Sequence, residues 1–231
     1  MRRSRSVSDL RRYARIGGAL FLVSIVAGGF GEAYAPAQIA ISGDAAATAH
    51  HIVASNSLFR LGFAAYLVEG VCDTALAAIL YVLLRPVDRV LALIATFLHL
   101  MATATFAFAE LFYFIPSLLL GGDSYLRTFT ADQLNTLALL SLNIYAFAGG
   151  VFLLFYGLGS IGFGYLIVRS GYIPAVLGFL LLIGGVGFVL RNFALVLVPS
   201  ISTTFLQLPT IIAILVLGLW LVARARTVPP Q

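Results

Sequence analysis

Glu69 and Asp73 stand four residues apart inside an apolar run that extends from Leu58 to Leu84. On a helix that spacing turns the two carboxylates only about 40° from each other, onto one face. A charged side chain at mid-membrane costs at least ~2.5 kcal/mol, so such groups face a bundle interior and find partners there. The next apolar run carries His99 and Glu110, about 20° apart around the helix, with Thr103 and Phe106 on the same stripe. Two carboxylates without enough positive charge beside them cannot both ionise in low dielectric, and a shared proton would make Glu69 and Asp73 a switch. Binding of a proton or a small ligand is the chemistry these residue types support. Glu69, Asp73, His99, Thr103 and Glu110 form the candidate site.

Depth along the helices predicts which of these meet. Counted inward from Leu84 and Val90, Asp73 lies eleven residues deep and His99 nine, a difference of ~3 Å. Antiparallel neighbours that turn these faces together bring Asp73 to His99. Arg60 and Glu110 come to a similar depth, and Glu32, Asn143, Arg191 and Asn192 fall in the outer halves of their helices. The expectation is a polar cavity opening outward, with Asp73 and His99 at its floor and a network of arginines, carboxylates and amides at its mouth. Against it stands a structural reading, in which the same groups are interhelical hydrogen bonds worth ~1 kcal/mol each.

The elements that position these residues follow from composition. The chain has 231 residues, 61% hydrophobic and 10% charged, with a mean hydropathy of +1.04. That balance excludes an ordinary soluble domain and requires a lipid bilayer as partner. Apolar stretches long enough to cross ~30 Å of hydrocarbon fall at residues 16–35, 58–84, 90–116, 134–168, 174–197 and 207–225. The predicted fold is an all-α polytopic membrane helix bundle with six transmembrane helices. Residues 1–15 form a basic cytoplasmic tail, 16–226 a single transmembrane domain, and 227–231 a second tail.

All fourteen basic residues are arginine. Eleven of them, including six before the first span, Arg85, Arg89, Arg169, Arg224 and Arg226, fall on one side, and only Arg60, Arg127 and Arg191 on the other. This asymmetry puts the N and C termini in the cytoplasm and accounts for the net charge of +5 without nucleic acid. The basic start, the apolar residues 16–30 and the "AYA" ending at Ala35 also resemble a cleavable signal peptide. The run is long enough to remain as a helix, and retaining it keeps both termini on one side.

Between the first two spans, "GDAAATAHHIVAS" predicts a short external helix with Asp44 as N-cap. "TADQ" at 130–133 reads as a capping box opening the fourth span. From there to Arg169 a helix would measure ~57 Å, so it must tilt, project outward or break near Gly149 and Gly150. Pro174 and Pro209 fit the first turns of the fifth and sixth helices. Gly150, Gly157 and Gly164, with Ser160, share a face of the fourth helix, and Gly178 and Gly185 repeat that seven-residue spacing on the fifth. Small residues let helix backbones approach closely, so these two helices are the expected packed pair. A second copy of the chain is a further candidate partner for such faces.

Other chemistries lack their residues. One cysteine, Cys72, excludes an intrachain disulfide. His50 and His51 are adjacent and point about 100° apart on a helix, a poor metal pair, and no metal site is predicted. An intramembrane hydrolase needs a nucleophile with a base, or a metal with about three ligands, and only His99 lies within a span. An enzyme, including a metal-assisted one built on His99, Asp73 and Glu69, is therefore the minority reading, and no cofactor is indicated. The main alternative to ligand or proton transport is a non-catalytic membrane scaffold or subunit.

"LFRLGFAAYLVEGVCDTALAAILYVLLRPV" at 58–87 and "YGLGSIGFGYLIVRSGYIPAVLGFLLLIGGVGFVL" at 156–190 resemble the multi-pass bacterial membrane proteins grouped as domain of unknown function 4386. The similarity covers nearly the whole chain, and "GYLIVRSGYIPAVLG" is its most specific stretch. In that family an acidic residue commonly stands at the position of Asp73, followed by the "LYxLLrPv" ending that this chain keeps. An arginine often stands at the position of His99. That departure supports an acid–base pairing with Asp73 and weakens the case that histidine chemistry is essential. The resemblance implies a six-helix protein of the bacterial inner membrane and supplies no activity.

Overall fold

The structure, a computed structural model, describes residues 7–39, 43–198, 206 and 208–224. The described elements are helices. α1 (Val7–Gly28) passes through a π-helical turn (Gly29–Tyr34) into α2 (Ala35–Ile39), and α3 (Ala45–Ala54) precedes α4 (Asn56–Leu84). There follow α5 (Arg89–Leu119), a 3₁₀ turn (Ser124–Thr128), α6 (Ala131–Ser170), α7 (Ala175–Leu197) and α8 (Leu208–Arg224). Among the described residues, five helical runs are long and apolar enough to cross a membrane: Leu10–Ile39, Asn56–Leu84, Arg89–Leu119, Ala131–Ser170 and Ala175–Leu197. α8 is a shorter apolar helix of 17 residues. Large apolar side chains stand out from these helices, Val71 being 72% exposed and Phe108 61%. On helices of this composition such faces suit lipid rather than water.

The ends of the helices follow local chemistry. Asp44 caps α3 by accepting from the Ala47 N–H at 2.8 Å. The Thr130–Gln133 box forms as expected, each side chain bonding the other residue's backbone N–H. Asp88 does the same service for α5, taking the N–H groups of Val90 and Leu91. α6 stops at Gly171, whose φ of +71° only glycine adopts without strain. Pro174 stands at the N-cap of α7, one position before the helical turn expected to hold it, whereas Pro209 falls in the first turn of α8.

Two differences from the expected spans are informative. α1 begins at Val7, so Arg11, Arg12 and Arg15 ride on its first turns. α6 is one unbroken helix of 40 residues, ~60 Å long, through Gly149 and Gly150. Residues 1–6, the start of the first predicted tail, and 225–231, which hold the whole of the second, lie outside the described residues.

The chain divides into two compact units. Unit 1 comprises Met1–Ile25, Val71–Thr103 and Gly150–Gln231; unit 2 comprises Val26–Gly70 and Ala104–Gly149. The core of unit 1 is built around Leu83, Leu84, Phe163, Leu166 and Leu217, all essentially inaccessible. There α6 and α7 meet backbone to backbone: a methyl added to Gly157 would come within 2.6 Å of the Gly185 carbonyl oxygen, and one added to Gly178 equally close to that of Gly164. Dispersion across such contacts is the principal force available where lipid removes the hydrophobic one. Gly18 of α1 and Gly218 of α8 make a second close approach. The core of unit 2 is aromatic, with Phe59 stacked on Tyr113 at 4.4 Å and Tyr66 set edge-on to Phe106 and Tyr113.

Candidate functional site

In unit 1, Asp73 of α4 finds its partner on α1. The Ser24 hydroxyl donates to Asp73 Oδ1 at 2.7 Å. His99 of α5 lies between two rings of α6, 4.5 Å from Tyr156 and 5.0 Å from Phe163. Its approach depends on Gly159, where a methyl would stand 3.0 Å from Nε2. Asp73, His99 and Ser160 line one cavity with Phe21, Leu80 and Ile214 among its apolar walls. The space open to water centres is about 10 Å³, room for about one water molecule. His99 Nε2 and Ser160 Oγ are buried and make no hydrogen bond to the protein. Thr103 bonds back to the His99 carbonyl at 3.0 Å, so its hydroxyl is committed to its own helix.

Two expectations change here. Asp73 and His99 come to the same cavity, yet no bond joins them, because Ser24 holds the carboxylate and His99 is gripped by aromatic rings. The cavity itself is small and mostly apolar, far below the ~300 Å³ of a site for an organic ligand. Inward-facing aromatic and leucine side chains fill the volume that a spacing count treats as open.

In unit 2 the polar groups gather where α1 departs from the regular helix. The π turn Gly29–Tyr34 breaks the i to i−4 ladder, a change often found at functional positions. The Gly31 carbonyl accepts from the Tyr66 hydroxyl at 2.7 Å. Tyr66 and Tyr145 hydroxyls are 2.6 Å apart, and with Tyr113 the three rings are in mutual contact at 5.2 to 5.9 Å. Glu110 is 2% exposed, and neither carboxyl oxygen has a hydrogen-bond partner. It interacts electrostatically with all three tyrosines and with the exposed Glu32. Glu69 lies against α1, where a methyl on Gly28 would meet its Oε1 at 2.5 Å.

Arg60 does not reach Glu110. Its Nε donates to Asn56 at 3.2 Å and its guanidinium lies 5.8 Å from the Phe114 ring centre, an exposed position that keeps its charge hydrated. Glu32 and Asn143 are also exposed in unit 2. Arg191 and Asn192 belong to unit 1, with Asn192 buried near Gly150. Among the described residues no three His, Cys, Asp or Glu side chains gather where they could hold a metal ion.

Ser24, Gly159 and the three tyrosines join the residues expected from the sequence. Ser24 had a signal, a lone hydroxyl in the middle of an apolar span. The tyrosines had none, since ten are scattered through the chain and only the fold shows which three converge.

No curated protein and no solved structure matches the chain. The family described as Domain of unknown function (DUF4386) matches residues 16–225. The chain, helical and largely apolar over its described residues and matched over nearly its full length, therefore belongs to the DUF4386 family.

Proposed function

We propose that this protein is a six-crossing protein of the bacterial inner membrane, with cytoplasmic termini, that binds and transfers protons through the space shared by Asp73 and His99. One observation carries the reading. Titratable groups from two helices line a space of about one water, and His99 Nε2 and Ser160 Oγ in it are without protein partners. A water there would connect Ser24, Asp73, Ser160 and His99 into a relay. The small volume narrows the broader expectation of small-ligand or proton binding to the proton. Eleven arginines against three support the orientation, and the apolar length of α8, ~26 Å, supports a sixth crossing.

A scaffold or subunit role draws on the Ser24–Asp73 bond and the glycine contacts, which fix helix register with or without transfer. Reconstituted vesicles carrying an internal pH dye, driven by a potassium diffusion potential, separate the two readings. Proton entry well above that of empty vesicles, lost in Asp73→Asn and reduced in His99→Gln, is the expected result. Entry no faster than in empty vesicles contradicts transfer and leaves the scaffold.

A further inference from the structure

We propose that the tyrosine–carboxyl cluster of unit 2 is a binding site for a small monovalent metal cation, with Glu110 as its charged ligand and the phenol oxygens of Tyr66, Tyr113 and Tyr145 beside it. The inference rests on reading the chain as a membrane-embedded binding protein, and it concerns residues of unit 2 alone.

The hydrogen atoms of the cluster are already committed. Tyr66 donates to the Gly31 carbonyl, which leaves its oxygen to accept from Tyr145. Tyr113 donates to the Phe59 carbonyl at 3.4 Å. All three phenols therefore retain only acceptor capacity toward Glu110, whose two oxygens are buried without a hydrogen-bond partner. A second acid, Glu32, adds negative charge at the exposed edge. The nearest arginine in sequence to the α4 part of the cluster, Arg60, is engaged with Asn56 and Phe114. Toward Glu110 the described phenols thus offer oxygen acceptors and no hydrogen atom, the surroundings in which a bound cation is favoured.

The character of that charge follows from the donors. They are all oxygens, which suits hard cations and not those that prefer nitrogen or sulfur. The three rings pack on one another and on Phe59 and Phe106 rather than standing apart as the walls of a cage, which favours a bare metal ion over an organic ammonium group. One buried carboxylate among neutral oxygens matches a single positive charge better than a double one. The π turn contributes the remaining features, since it delivers Gly31 and Glu32 together to this place.

The test is thermal unfolding of the full chain in detergent, in sodium or potassium chloride against choline chloride at equal ionic strength. A saturable rise of roughly 2–4 °C with one of the alkali cations is expected, corresponding to occupancy well above its Kd. Glu110→Gln should lose the rise, Tyr145→Phe should need more salt to reach it, and Asp73→Asn should keep it. Equal unfolding in all three salts, a rise that survives Glu110→Gln, or a response to calcium or magnesium alone overturns the site. Should Glu110→Gln fail to fold, equilibrium binding of radioactive sodium and rubidium to wild type and Tyr145→Phe decides; no saturable uptake by the wild type overturns it. Loss of the cation effect with Asp73-dependent proton entry intact removes this site and spares the proton reading; the reverse pattern removes only the relay.

Discussion

Ser24 and Asp73, 49 residues apart in the chain, are joined by a 2.7 Å hydrogen bond between α1 and α4. A carboxylate at that depth needs a donor, and a single hydroxyl from the neighbouring helix supplies one. Ser24→Ala should lower stability in detergent by about 1 kcal/mol, the usual worth of such a bond between membrane helices. Ser24→Thr should retain most of it. Chemical denaturation of the three proteins side by side reads the difference.

Gly157 and Gly149 lie on the same helix and make opposite predictions. Gly157→Leu forces a side chain into the Gly185 backbone and Phe188, and should destabilise by about 3 kcal/mol or prevent folding. Around Gly149 a methyl meets nothing within 4 Å. Gly149→Ala should therefore be neutral or stabilise by up to ~1 kcal/mol, the helix-propensity difference. Expression level and melting temperature of both variants check the pair.

Tyr172, in the turn between α6 and α7, donates its hydroxyl to the Leu83 carbonyl, and burial pushes the phenol up to about 12. The folded state thus favours the neutral phenol, whose unfolded value is about 10. Its contribution is complete below about pH 10 and is lost as pH rises toward 12. Tyr172→Phe should cost about 1 kcal/mol at neutral pH and flatten the alkaline limb of the stability profile. An unchanged alkaline limb would show that other groups set it.

Much of this architecture is legible before any coordinates. Predicted spans at 58–84 and 90–116 compare with α4 at Asn56–Leu84 and α5 at Arg89–Leu119 because hydrocarbon thickness sets a length that composition reports directly. Asp44 and the Thr130–Gln133 box were readable since capping is local. The Asp73–Ser24 bond was not, because helix periodicity says which face a residue occupies but not which neighbour that face meets. Arg60 shows the same gap: its depth matches Glu110, and its side chain nevertheless turns to Phe114. The π turn is invisible to any reading that assumes 3.6 residues per turn, and with it went the tyrosine cluster.

Asp73 and His99 share one water-sized space, and a double-mutant cycle tests most directly whether they act through it. Unfolding free energies would be measured for wild type, Asp73→Asn, His99→Gln and the double variant under one buffer. If the space couples them, the double change should cost less than the sum of the single ones by about 0.5 kcal/mol or more. Single effects that add within ~0.3 kcal/mol would contradict the coupling and leave Asp73 and His99 as two separate features of the bundle.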